Sequence, residues 1–226
     1  MTLSAPLVGV DALGDDLTGK PVVSSEVAFS GMVWDVRRDR VDLGEAGQVT
    51  REYVDHPGAV SVLALRERDA DGSARCDVAL IKQYRHPVRA TEWELPAGLL
   101  DIAGEPPHVA AARELAEEAD LRAGAWHVLA DLVPSPGGIS EAIRIFLARD
   151  LSDVPAEERH ERDGEELGMP LVWIDLDDAV DAVRDGLLGN AVAQLGILHA
   201  STARARGWAG LRAADAPFRA HPGLRG

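Results

Sequence analysis

The chain has 226 residues, 46% of them apolar, and 38 acidic against 23 basic side chains leave a net charge of −15. It is long enough to bury one substantial core with a small appendage. The negative charge disfavours nucleic acid or an anionic membrane surface as the main partner. No apolar run approaches the roughly eighteen residues needed to span a bilayer. The segment MTLSAPLVGVDALGDDLTGK, with Asp11, Asp15 and Asp16, lacks the basic start and apolar centre of a secretory signal. The single cysteine, Cys76, allows no internal disulfide, so a reducing cytoplasm is the expected setting.

Residues 1–22 carry Gly, Asp and Ser with no sustained period and predict a flexible tail. Over residues 23–56 the alternating segments EVAFSGMVWDV, DRVDL and QVTREYV predict a small N-terminal β-sheet, with turns at an Asp-Arg stretch and at Gly-Glu-Ala-Gly. So small a sheet is marginal alone and must pack on something. Residues 57–209 predict the main domain. AVSVLAL, VALIKQYR, WELP, WHVLADLV and AIRIFLA have strand character, and a helix is expected from about Pro106 to Asp120. LVWIDL leads into helical DDAVDAVRDGL, and NAVAQLGILHASTARARG predicts a further amphipathic helix. Strands alternating with helices imply an α/β fold with a mixed sheet between helical layers. Residues 210–226, rich in Ala, Pro and Arg, predict a second tail.

The most informative segment is AARELAEEADL, residues 111–121. At 3.6 residues per turn Glu114, Glu117 and Glu118 share one helix face. Like charges three and four apart cost an isolated helix about 0.2–0.5 kcal/mol per pair, so the cluster makes sense chiefly against a cation. Hard oxygen donors suit Mg²⁺ or Mn²⁺. A solvated acidic face is the alternative reading of the same residues. Arg113 can pair with Glu117 one turn on, or reach back to Glu105, and so orient carboxylates. Ahead of the helix, Ala97 and Gly98 follow the WELP run, where a glycine allows close backbone approach to a metal or phosphate. Pro106 and Pro107 suit a first helical turn.

WELPAGLLDIAGEPPHVAAARELAEEADL, residues 93–121, resembles the Nudix box of nucleoside diphosphate-X hydrolases. Glu105, Arg113, Glu114, Leu115, Glu117, Glu118 and Leu121 stand at the family's spacing. Gly98 lies one residue further from Glu105 than the pattern asks, and Asp120 replaces the late glycine, whose left-handed backbone Asp tolerates better than most residues. The resemblance implies a Nudix-type α/β/α sandwich. It also implies Mg²⁺ or Mn²⁺ held by the Ala97 carbonyl, Glu114 and Glu118, with Glu117 as a further ligand and, with Arg113, part of the catalytic set.

REYVDHPGAVSVLAL, QYRHP and ELPAGLLD carry the likeness towards ADP-ribose pyrophosphatases, as do Pro134 and Pro136 about fifteen residues past the box. On that likeness Glu141, between a Pro-Gly-Gly turn and the IRIFLA strand, activates the attacking water or helps hold a metal; an ordinary surface glutamate is the alternative. Glu165 and Glu166 are the next candidates for the base. Arg85 is the candidate clamp for the pyrophosphate. Gly98 and Leu99 are candidates to line the substrate, as are Arg51 and Glu52, which resemble a pair contributed through a homodimer. Trp34 is a candidate to stack on adenine or simply a core residue. His56 and His86, each before a proline, lack a zinc-like cluster and read as structural or substrate-adjacent. The implied reaction is hydrolysis of ADP-ribose to AMP and ribose 5-phosphate. Alternatives are GDP-mannose, NADH or a flavin dinucleotide as substrate, or a non-catalytic ADP-ribose sensor.

Overall fold

The computed structural model describes residues 3–70, 72–162 and 167–225. Its contacts divide the chain into two units, residues 1–54 and 55–226. In the first, β1 (Val22–Ser30), β2 (Asp35–Asp42) and β3 (Gln48–Asp55) form a sheet in that order. The Asp-Arg stretch expected to turn lies inside β2; the chain reverses earlier, at residues 31–34. There the Gly31 N–H donates to the Trp34 carbonyl at 3.0 Å. A Cβ on Gly31 would stand 2.6 Å from that oxygen, which only glycine avoids. The second turn falls on the Gly-Glu-Ala-Gly stretch, where Gly44 and Gly47 both have positive φ. Residues 3–21 hold only a short 3₁₀ turn at Val10–Ala12.

The second unit begins with β4 (Ala59–Ala70), β5 (Ser73–Arg85), β6 (Ala90–Glu94), β7 (Ala97–Leu99) and α1 (Pro107–Ala119). It continues with β8 (Leu121–Leu132), β9 (Ile143–Asp153), β10 (Leu171–Asp175), α2 (Leu176–Arg184), α3 (Ala191–Ala205) and β11 (Arg212–Ala213). The sheet runs β10-β5-β4-β9-β8-β11, with β6 paired to β5 and β7 to β4. It is mixed, because β4 and β9 are parallel while β4 and β5, and β8 and β9, are antiparallel.

Alternation along the central strands builds two cores, one on each face. Val60, Val62 and Ala64 of β4 and Phe146 and Ala148 of β9 bury against Ala110, Ala111, Leu115 and Ala119 of α1. Leu63, Leu65, Ile145 and Leu147 point the other way, onto Leu176 and Ala179 of α2 and Ala193, Ile197 and Ala200 of α3. The helices on that face are capped as their sequences require. The Asp175 side chain accepts the Asp177 N–H at 2.9 Å, and Asn190 accepts the Ala193 N–H at 3.0 Å. Among the described residues no helix is long and apolar enough to cross a membrane.

The segment after 209 departs from the expected tail. Arg212 and Ala213 pair with β8, and Phe218 is only 2% exposed. The cause is Arg144, a side chain 1% exposed on β9. Its guanidinium grips Asp131 through two nitrogens, at 2.7 and 3.0 Å. Its remaining donors reach the carbonyls of Ala216 at 2.5 Å and Pro217 at 2.8 Å, and its charge lies over the Phe218 ring at 4.4 Å. A buried arginine needs every donor satisfied, and here the C-terminal backbone satisfies them. Removing it leaves Asp131 and two carbonyls short of partners. Arg144→Met is therefore expected to destabilise the fold by about 3 kcal/mol, the low end for breaking a buried ion pair because Arg212 also reaches Asp131. Urea denaturation measures it.

Candidate functional site

Helix α1 starts after Pro106 and ends at Asp120, whose φ of 54° and ψ of 33° put it in the left-handed region. That conformation stops the helix and starts β8 at the next residue. Arg162 covers this end, donating to the Glu117 carbonyl at 3.0 Å, the Glu118 carbonyl at 3.0 Å and the Asp120 carboxylate at 2.8 Å. A cation there complements the negative end of the helix dipole. Nothing in the local sequence marked Arg162 for this role.

Arg113 organises the carboxylates. Its Nε and Nη2 donate to Glu105 at 3.2 and 3.0 Å, and its Nη1 donates to Glu114 at 2.6 Å and Glu117 at 3.2 Å. Glu105 and Glu114 are largely buried, so the pairs lie in poorly hydrated surroundings where charge-assisted hydrogen bonds are strong. Chiefly through the Glu105 hydrogen bond, these partners raise the guanidinium pKa above its ordinary range. Glu118, 6% exposed, instead accepts the Ala97 N–H at 2.8 Å. Ala97 lies on β7, which α1 packs against and β4 pairs with. A Cβ on Gly98 would meet the Glu114 carboxyl carbon at 2.0 Å. The glycine in this strand therefore makes room for a carboxylate.

Among the described residues no three His, Cys, Asp or Glu side chains stand close enough together to enclose a metal ion. Glu114 and Glu117 are turned onto Arg113, and Glu118 onto Ala97. The donor set nonetheless has the chemistry a hard divalent cation takes: three carboxylates on one helix face, with the Gly98 gap beside one of them.

A second group comes from the turn before β4 and the loop before β9. Glu141 Oε1 lies 3.4 Å from His56 Nε2. Burial pushes the Glu141 carboxyl pKa up, with the Arg85 charge pulling it back. Burial, then the neighbouring His221, pushes the His56 pKa down, which favours the neutral ring. The Gly58 N–H donates to His56 Nδ1 at 3.0 Å, which leaves the ring proton on Nε2, facing Glu141. Arg85 presents two nitrogens to Glu94, a carboxylate 3% exposed, at 3.0 and 2.7 Å. The sequence reading did not single out Glu94, although Arg85 pairs with it across neighbouring strands.

Leu99 ends β7, half-buried beside Gly98. Trp34, Arg51 and Glu52 belong to the first unit. Trp34 closes the β1–β2 turn instead of lying in a strand. Glu52 accepts Arg38 at 2.7 Å, and Arg51 donates to the Thr50 carbonyl at 2.9 Å. Glu165 and Glu166 lie outside the described residues.

The NUDIX domain family matches residues 55–192 of this chain, and the chain belongs to that family. It is 43% identical over 182 residues to a Mycobacterium tuberculosis (strain ATCC 25618 / H37Rv) protein called ADP-ribose pyrophosphatase, covering 80% of this chain and 83% of that one. It is 35% identical over 161 residues to the ADP-ribose pyrophosphatase of Bacillus subtilis (strain 168), covering 71% and 81%. A solved structure described as an ADP compounds hydrolase superposes with a TM-score of 0.64 at 22% identity, over 86% of this chain and 99% of that one, which is a likeness of fold.

Gly98→Ala should leave the fold intact by circular dichroism and cut turnover on the order of a hundredfold, since about 1 Å of misplacement in a site costs that much. A second expectation follows from the raised Glu141 pKa. A carboxyl raised on folding contributes stability below its unfolded pKa, ordinarily near 4.5, and loses that contribution as pH rises through the folded value. Glu141→Gln should therefore gain on the parent protein in thermal denaturation between pH 4 and pH 8, at roughly 2–4 °C per kcal/mol.

Proposed function

We propose that the chain hydrolyses the pyrophosphate bond of ADP-ribose, giving AMP and ribose 5-phosphate. The observation that carries this reading is the α1 carboxylate set, with Glu114 and Glu117 gripped by Arg113, Glu114 seated beside Gly98 and Glu118 on the Ala97 amide. The names of two relatives, at 43% and 35% identity, support the substrate. When bound by Glu114, Glu117 and Glu118, with the Ala97 carbonyl, Mg²⁺ or Mn²⁺ would offset charge growing on the phosphate oxygens and favour hydroxide near neutral pH.

In this reading Arg113 holds Glu114 and Glu117 in register until they turn to the cation. Glu141 takes the proton of the attacking water or orients it; burial raises its pKa, which makes it a stronger base than an exposed carboxylate. Arg85 offers its positive charge to the pyrophosphate, steadied by Glu94. Water attacks one phosphorus, and the bridging P–O bond breaks, so that the other half of the substrate leaves as its phosphomonoester.

A homodimer belongs to the same proposal, with residues 23–56 of one subunit bringing Arg51, Glu52 and Trp34 to its partner's pocket. Val22, Val27, Phe29 and Met32 support it, because all are exposed on β1 and the turn after it. A cytoplasmic setting is proposed on the lone, buried Cys76.

The test is turnover of purified protein with Mg²⁺ against ADP-ribose, GDP-mannose, NADH and a flavin dinucleotide, read as phosphate released after phosphatase treatment. Preference for ADP-ribose is expected. Faster turnover of another substrate discards the specificity and keeps the site; binding of ADP-ribose without turnover points to a sensor. Glu141→Gln should lower turnover of the preferred substrate by about 10²–10⁴-fold.

A further inference from the structure

The turn at Asp55-His56-Pro57-Gly58 is tied both to the loop that carries Glu141 and to the strand that carries Gly98, and the reaction described above gives it no task. The His56 N–H donates to Ser140 Oγ at 2.8 Å, and Ser140 directly precedes Glu141. The Ala59 N–H donates to the Ala142 carbonyl at 3.0 Å, directly after Glu141. The Leu100 N–H donates to the Gly58 carbonyl at 3.0 Å, tying the same turn to the strand that carries Gly98.

The turn is held from behind by the C-terminal segment. His221 Nε2 lies 2.7 Å from the Pro57 carbonyl, and the Gly223 N–H donates to His221 Nδ1 at 3.1 Å. The Nδ1 contact leaves the proton on Nε2, so His221 donates to Pro57. Gly58 has φ +89°, and a Cβ there would stand 2.5 Å from the His221 ring, so ring and turn fit only with glycine. His221 is itself fixed by the Phe218 ring at 5.5 Å, in the stretch that Arg144 anchors.

We propose that His56 is a positioning residue for Glu141, its Nε2–H aimed at the carboxylate, and that His221 holds the His56 turn in place. The 3.4 Å separation of His56 Nε2 and Glu141 Oε1 is one that small movements in a substrate complex close to a hydrogen bond. The donor orients the carboxylate, so that one oxygen is held and the other is presented to water. The C-terminal segment is thereby part of the working site, linked to it across 164 residues of sequence.

The inference rests on Glu141 acting as the base. Its test is a double-mutant cycle on the substrate the parent protein turns over best, with Mg²⁺ present and folding checked by circular dichroism. His56→Leu removes the donor at similar volume and should lower kcat about tenfold or more with KM changed less than about twofold. His56→Gln, which keeps an N–H₂ donor, should recover most of the loss. In a Glu141→Gln background His56→Leu should add nothing, because the two act as one unit. His221→Phe should give a smaller, KM-neutral fall that also vanishes in that background. A His56→Leu loss that Gln does not rescue, or that persists undiminished in Glu141→Gln, overturns the proposal. If Glu141→Gln is slow but His56→Leu keeps full kcat, this inference alone fails. Full activity in Glu141→Gln removes the base assignment as well.

Discussion

Three carboxylates converge on a single arginine near the middle of α1, and the site is arranged around the need to neutralise them. Glu105, Glu114 and Glu117 each accept hydrogen bonds from Arg113, while Glu118 accepts one from a backbone amide. Without compensation, such crowding in a half-buried place would raise the free energy of the folded chain through repulsion and lost hydration. One guanidinium has five donors in a fixed fork, so it can serve three acceptors in defined directions, which a lysine could not. Because Glu105 lies in the loop before the helix, the arginine also fixes where the loop meets the helix.

The rest of the unit delivers this helix to the right place. Small residues, Ala110, Ala111 and Ala119, let α1 lie close over Val60, Val62 and Phe146. Close packing in turn brings Glu114 against Gly98 on β7 and Glu118 against the Ala97 amide. The parallel pairing of β4 and β9 sets the starts of those two strands side by side, so the turn before one and the loop before the other are neighbours. Glu141 and His56 meet there. A site with a helix on one side and two strand entrances on the other is rigid without dedicated scaffolding, since each wall is already committed to the core.

Much of this was legible in residue order alone. The spacing of Glu114, Glu117 and Glu118 and the reach of Arg113 to Glu105 and Glu117 are local geometry, because a helix converts sequence separation into angle and rise. The left-handed Asp120 and the two helices capped by Asp175 and Asn190 followed from local chemistry as well. The strands of the main unit appeared as apolar alternation. Errors arose where one residue's steric freedom outweighed composition. The hairpin turned at Gly31, where only a missing Cβ permits the contact, and not at a polar Asp-Arg stretch that continued as strand.

The family, the acidic helix and the elements of the fold could be read from residue order, since each is written in contacts between residues a few positions apart. Tertiary structure alone decided that residues 212–224 belong to the body of the domain, because a buried arginine 72 positions upstream takes Ala216 as a partner. It also decided that Arg85 answers to Glu94, that Gly98 makes space for Glu114, and that His56 faces Glu141 across 85 residues. These are pairings between distant segments. Side-chain composition states which groups need partners, but only the closed chain brings the partners within reach.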